Sequence, residues 1–268
     1  MHLLRPSSGL IPKQAIAEDR TVSREKYSEL KLEANFFKVS PGYLTATPSP
    51  RHTSRNYTFR ANDRITVTPL VGAVGQPSFY VVRATDYQTA RSIRYKLQLP
   101  TAWGWLVVPQ LRSYLTLHGR DSKMVVTDYP VGDVATLIYS TAEVFTWQKF
   151  ENRTVLVVYG GPQEQHELAL VVKGAPLKWK FTESGYATPQ LLVQRVNNAH
   201  IAANWRTYST ASRWILRVGS VEVYMTSNRP PFIRYLLWSS EKLTESKIET
   251  RCTTTGSRSW PAPLLLPP

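Results

Sequence analysis

The sequence predicts a mostly β fold, antiparallel β-sheets arranged as a sandwich and preceded by one amphipathic helix. Three observations carry that prediction. After Pro41, short runs rich in Val, Ile, Thr, Tyr and Leu recur roughly every ten residues, bounded by Gly, Pro, Asn and Asp. No helical periodicity lies between them, which argues against parallel βαβ units. Apolar residues make up 42% and aromatic residues 11% of the 268 residues, enough for a real core and outside the range of disordered chains.

Taken in order, the elements begin with a helix over 21–39. In TVSREKYSELKLEANFFKV, Tyr27, Leu30, Ala34 and Phe37 fall at helical spacing with Leu32, Phe36 and Val39 beside them, giving one broad apolar face. Ser40-Pro41-Gly42 stops it, because proline disfavours helical geometry in the residue before it and has no N–H for the ladder. The strands then read RITVTPLV, SFYVVRAT, IRYKLQL, WLVVPQL, YLTLHG, KMVVTDY, ATLIYST, TVLVVYG, LALVVKG, QLLVQRV, WILRVG and VEVYMTS. Beyond Ser240 the periodicity is lost, so 241–268 reads as disordered or non-native sequence. Its PAPLLLPP is far short of the ~20 apolar residues of a spanning helix, and no membrane segment is expected. At the other end, Pro6 and Pro12 interrupt MHLLRPSSGLIPKQ, so no export signal is expected there either.

Lysine and arginine outnumber aspartate and glutamate 33 to 19, a net charge of +14. That balance permits anionic partners, but the clusters at 51–64 and 173–180 are broken by Thr, Ser, Pro and apolar residues. No specific nucleic-acid partner is expected. The single Cys252 excludes an internal disulfide and any multi-cysteine zinc site. His2, His52, His118, His166 and His200 show no ligand spacing, so the expectation is no metal and no cofactor.

The stretch YGGPQEQHEL (159–168) places Glu164, His166 and Glu167 within four residues. A zinc-protease helix needs His-Glu-x-x-His, whereas Leu168, Ala169 and Leu170 follow here. On a strand, Glu164 and His166 share one face and Glu167 takes the other. The expectation is a turn at Gly160-Gly161-Pro162 with polar residues on the exposed side of the next strand, and no catalytic residue. GRDSK (119–123) reads as a hairpin turn with Asp121 or Ser122 capping the backbone. Asn56-Tyr57-Thr58 and Asn152-Arg153-Thr154 fit the N-glycosylation acceptor pattern, making Asn56 and Asn152 candidate modification sites.

Several motifs together resemble one family. VLVVYGGPQEQHELAL, LHGRDSKMVVTDYPVG (117–132), IYSTAEVFTWQKF (138–150), SFYVVRATDY (78–87) and YKLQLPT (95–101) are similar, in the right order along the chain and in register, to the second domain of fungal β-galactosidases of glycoside hydrolase family thirty-five. AIAEDRTVSREKYSELKLEANFFKVSPGYLTATP (15–48) resembles the segment that joins the last helix of that family's catalytic barrel to its second domain. The resemblance implies residues 1–48 as barrel remnant and linker, 49–240 as the β domain and 241–268 as unrelated. It further implies a retaining hydrolase of terminal β-D-galactose in the complete, typically secreted enzyme, using two glutamates about 5 Å apart on a TIM barrel. Both glutamates lie upstream of the matched region, so this chain is expected to be a truncated, inactive form with β-galactosides as partners only in the complete enzyme.

Two departures bear on function. SSGLIPKQ stands where the family carries a tyrosine-rich segment leading out of the barrel. PTAWGWLVVPQLRS stands where relatives have a small-residue turn, which adds Trp103 and Trp105. These indoles either form a carbohydrate-stacking platform or fill core or interface space, and the second reading is preferred because buried aromatics are common in β cores. The alternatives to a buttressing domain are a stand-alone carbohydrate-binding module, with Trp103 and Trp105 as stacking residues, and a basic scaffold for anions.

Overall fold

The structure is a computed structural model, and it describes residues 15–16, 20, 22, 24–49, 54–86, 88, 91–111, 114–119, 121–161, 163–174, 178–184, 192–196, 200–207 and 213–227. The tail 241–268, the SSGLIPKQ segment (7–14) and Cys252 lie outside them. Helix α1 (Arg24–Val39) ends at Ser40, and Pro41 opens a short second helix, α2 (Pro41–Thr45), where its missing N–H costs nothing. The strands are β1 (Thr47–Pro48), β2 (Ile65–Val71), β3 (Ser78–Ala84), β4 (Ile93–Tyr95), β5 (Leu97–Thr101), β6 (Gly104–Val108) and β7 (Leu115–Leu117). There follow β8 (Ser122–Val131), β9 (Ala135–Ser140), β10 (Glu143–Lys149), β11 (Thr154–Gly160) and β12 (Gln165–Val172). The last are β13 (Trp179–Ser184), β14 (Leu192–Arg195), β15 (Ile201–Arg206), β16 (Arg213–Val218) and β17 (Val221–Ser227), while a 3₁₀ turn (Ser54–Tyr57) precedes β2.

An eight-stranded sheet runs β1-β2-β3-β8-β9-β12-β15-β14, and a five-stranded sheet runs β10-β11-β17-β16-β13. The ribbons β4-β7 and β5-β6 complete the set. The sheets are antiparallel as expected, with one exception: β11 and β17 pair in parallel from Thr154↔Val221 to Gly160↔Ser227. That pair stitches the hairpin β16/β17 onto the hairpin β10/β11, and the intervening strands form the long crossover that a parallel pairing requires.

The eight-stranded sheet is covered on both faces. One face packs Val126, Tyr129, Leu137, Leu168, Leu170 and Ala203 against Leu156, Val158, Trp214, Leu216 and Val223 of the five-stranded sheet. The opposite face packs Val82, Val125, Tyr139, Ala169 and Ala202 against Tyr95, Leu97, Leu99, Val108 and Leu117 of the two ribbons. A sheet buried twice has no solvent face for alternate residues, which is why LALVV and TLIY are nearly continuous apolar runs. It also overturns one expectation: sequence reasoning places polar residues of this stretch on the exposed side of the strand, whereas Glu164, His166 and Glu167 are all buried.

Helix α1 docks by a different residue from those its spacing favoured. Phe36 is buried, with its ring 6.0 Å from Phe79 at 90° and 5.4 Å from Tyr43 at 74°. Leu30, in contrast, is 50% exposed. The C-terminal carbonyl of α1 is satisfied from the sandwich: Val39 O accepts from Tyr129 Oη at 3.0 Å and from Trp147 Nε1 at 3.2 Å. Ser40 Oγ and Tyr129 Oη share a further hydrogen bond at 2.7 Å.

Candidate functional site

The Gly-Gly of YGGPQEQHEL is required by close approach. A Cβ on Gly160 would collide with the imidazole of His166, and one on Gly161 with the carboxylate of Glu164. The left-handed residue of this segment is Gln163, at φ 61°. Gly160 ends β11 and Gln165 begins β12, so the two side chains fold back over the connection that joins the two sheets.

Glu164 is 3% exposed. Its Oε1 lies 2.8 Å from Lys123 Nζ, and its Oε2 accepts from Gly161 N at 2.7 Å. His166 Nε2 stands 3.3 Å from the same Oε2, an ion-pair distance, while its ring lies 5.6 Å from that of Trp205. Burial pushes the Glu164 carboxyl up, but His166 and the Lys123 ammonium outweigh it and hold the group at about 2, below its ordinary 4.5. Burial lowers the Lys123 ammonium, and the neighbouring carboxylates, Glu164 foremost with Glu143 and Asp121, raise it above its ordinary value. Thr207 closes the connection: its Oγ1 accepts from Glu164 N at 3.0 Å and contacts Gly161 O. The chain turns at 118–121, with Asp121 N donating to His118 O at 3.0 Å, but the hairpin expected for GRDSK is not formed: β7 pairs with β4 and β8 with β3 and β9, and Lys123 belongs to this buried cluster.

Glu167 points to the other face, as the strand parity required, and is 0% exposed. Its Oε1 accepts from Tyr139 Oη at 2.7 Å and from Gln110 N, and its Oε2 accepts from Asn204 Nδ2 at 2.9 Å and Leu111 N at 3.1 Å. Burial and the adjacent carboxylate push the Tyr139 phenol up. These donors pin the loop at 109–111 to the sheet. Each carboxylate is thus consumed by fixed donors within the fold, on different sides of the strand, and neither arrangement offers an acid and a base to one substrate atom. Among the described residues no three His, Cys, Asp or Glu side chains group as metal ligands, and no described helix is long and apolar enough to cross a membrane.

Trp103 and Trp105 do not fill the core: they are 48% and 54% exposed. Both sit on the β5/β6 hairpin, Trp103 in the turn after Thr101 and Trp105 in the second pair from it, opposite Pro100. Asp128, at φ 52° in β8 between the paired residues Thr127 and Tyr129, holds that tip, accepting from Ala102 N at 3.0 and 2.9 Å. Burial raises the Asp128 carboxyl, and the Ala102 hydrogen bond opposes it. Trp103 lies 5.8 Å from the His200 ring, whose imidazole burial pushes down, and Trp105 lies 6.2 Å from the Tyr57 ring. Asn56 and Asn152 are both exposed, in the 3₁₀ turn and in the β10/β11 turn. Sequence reasoning found the residues but missed the partners Lys123, Tyr139, Asn204 and Asp128. The glycine pair before two acids was the available signal, since two adjacent glycines beside large polar groups mark room for side chains as readily as a turn.

The family described as β-galactosidase, domain 2 matches residues 46–230. The chain is 49% identical over 212 residues to β-galactosidase A of a Penicillium species, an alignment covering 79% of this chain and 20% of that protein. It is 46% identical over 211 residues to β-galactosidase A of Aspergillus niger, with 79% and 20% covered, and 45% identical over 233 residues to β-galactosidase A of Aspergillus oryzae, with 86% and 21% covered. The chain therefore spans about one fifth of the length of the curated relatives it matches.

Proposed function

This chain belongs to the β-galactosidase domain 2 family, and from that premise we propose that it acts as a non-catalytic β domain that buttresses the catalytic unit of a β-galactosidase. The larger protein of which such a domain is part hydrolyses terminal non-reducing β-D-galactose, and the acid and nucleophile are supplied outside residues 46–230. The observation that supports this reading is the use of Glu164 and Glu167 as buried structural ligands, which leaves neither free to protonate a glycosidic oxygen or attack an anomeric carbon. No cofactor enters the proposal, and the partner is a β-galactoside held by the whole enzyme.

Exchange of domains tests it. Residues 46–230 are placed in the Penicillium β-galactosidase A in place of its own matching segment, beside a deletion of that segment. The chimera is expected to be folded and to release galactose, and the deletion to lose both properties. Full activity in the deletion would contradict a buttressing role.

The exposure of Trp103 and Trp105 favours a second reading, in which the β5/β6 hairpin contacts carbohydrate directly. Glycan-array binding by the chain, lost on Trp103→Ala, would carry that reading; equal binding by the variant would remove it.

A further inference from the structure

We propose that Asn56 is an N-glycosylation site whose sugar lies against the exposed face of Trp105. Asn56 belongs to the 3₁₀ turn that is clamped to the β5/β6 ribbon: Phe59 N donates to Lys96 O at 3.1 Å, and Thr58 bridges to Leu97. The next residue, Tyr57, is buried, with its ring 6.2 Å from that of Trp105 and inclined at 34°. Trp105 keeps 54% of its surface in water, the largest exposed fraction among the described aromatic residues. A sugar attached at the exposed Asn56 begins one residue from Tyr57, the residue whose ring neighbours that indole, and the C–H face of a pyranose is the chemistry an exposed indole accepts. Asn152 is the internal contrast, because it sits in the β10/β11 turn of the five-stranded sheet, closed by Phe150 N donating to Arg153 O at 2.7 Å.

The acceptor geometry fixes when transfer occurs. Thr58 is buried and its Oγ1 donates to Arg55 O at 3.2 Å, so the folded turn cannot present the Asn-x-Thr triplet to an enzyme. Transfer precedes folding. The donor is a lipid-linked oligosaccharide pyrophosphate: a bond forms between its anomeric carbon and Asn56 Nδ2, the bond from that carbon to the pyrophosphate oxygen breaks, Nδ2 loses one proton and the lipid pyrophosphate leaves. The inference is independent of the buttressing role and needs only passage through a glycosylating compartment, which the test supplies.

The full 268-residue chain, placed behind an export leader in a yeast host, is examined by glycopeptide mass spectrometry and hydroxyl-radical footprinting. The expected result is occupancy at Asn56 and a several-fold lower oxidation of Trp105 than in Asn56→Gln, with Trp103 oxidation unchanged. Enzymatic removal of the glycan from the native protein gives the same comparison without a substitution, and Asn152→Gln leaves Trp105 unaffected. An unoccupied Asn56, equal oxidation of Trp105 with and without its glycan, or an equal fall at Trp103 would each overturn the proposal.

Discussion

Lys123 and Glu164 meet at 2.8 Å across the end of the eight-stranded sheet, one at the start of β8 and the other just before β12. Strand β9 lies between those two strands but its ladder with β8 stops at Val126↔Ser140, which leaves a gap for the lysine to cross. The pair is sealed by Gly161, Thr207 and His166. Removing one partner leaves an uncompensated buried charge. Lys123→Met and Glu164→Gln are each expected to cost about 3–5 kcal/mol in chemical denaturation, with the double variant well short of the sum. Additive losses would show the two charges to be independent.

The same pair makes a pH prediction. The Glu164 carboxyl is lower in the folded chain, about 2, than its ordinary 4.5. A depressed folded value contributes stability that is fully present above 4.5 and is lost as pH falls from 4.5 toward 2. Thermal unfolding of the wild type is expected to drop more steeply than that of Glu164→Gln across this window. Parallel curves would remove Glu164 as the source.

Gly160 supplies a steric test. A Cβ there meets the His166 ring, so Gly160→Ala is expected to cost about 1–3 kcal/mol as an overpacked site. Shortening the obstacle in Gly160→Ala/His166→Ala is expected to relieve part of that cost in a double-mutant cycle. No coupling between the two positions would mean that the ring does not set the requirement for glycine.

Helix α1 separates its two kinds of aromatic and aliphatic residue. Phe36→Ala removes the ring that contacts Phe79 and Tyr43 and is expected to cost about 3 kcal/mol or more of the helix's attachment, read as faster amide exchange over 24–45. Leu30→Ala, on the exposed side, is expected to change it by about 0.5 kcal/mol or less. Equal effects would return the docking face to the one its spacing suggested.

Much of the fold was legible in the residues. The strand runs, the Pro41 boundary and the opposite facing of His166 and Glu167 follow from alternation and backbone sterics, and they hold. The double covering of the central sheet was not legible, because LALVV is compatible with any fully buried strand and nothing local names the layers on either side. The same gap hid the site: Lys123 and Glu164 are adjacent only through the sheet order β8-β9-β12, and Tyr139 and Asn204 reach Glu167 only as neighbours of β12 on either side. Trp103 and Trp105 were found by composition, but their exposure depends on Asp128 anchoring the hairpin tip, a long-range contact no spacing encodes.

The most direct test of a non-catalytic domain is turnover by the purified chain itself. A chromogenic β-galactoside is followed from acidic to neutral pH with the wild type and with Glu164→Gln/Glu167→Gln. A retaining hydrolase needs one protonated carboxyl at the leaving oxygen and one carboxylate about 5 Å away beneath the anomeric carbon, whereas these two are held by Lys123 and Gly161 on one side and by Tyr139 and Asn204 on the other. No release above background is expected from either protein; release by the wild type that vanishes in the double variant would contradict a non-catalytic domain.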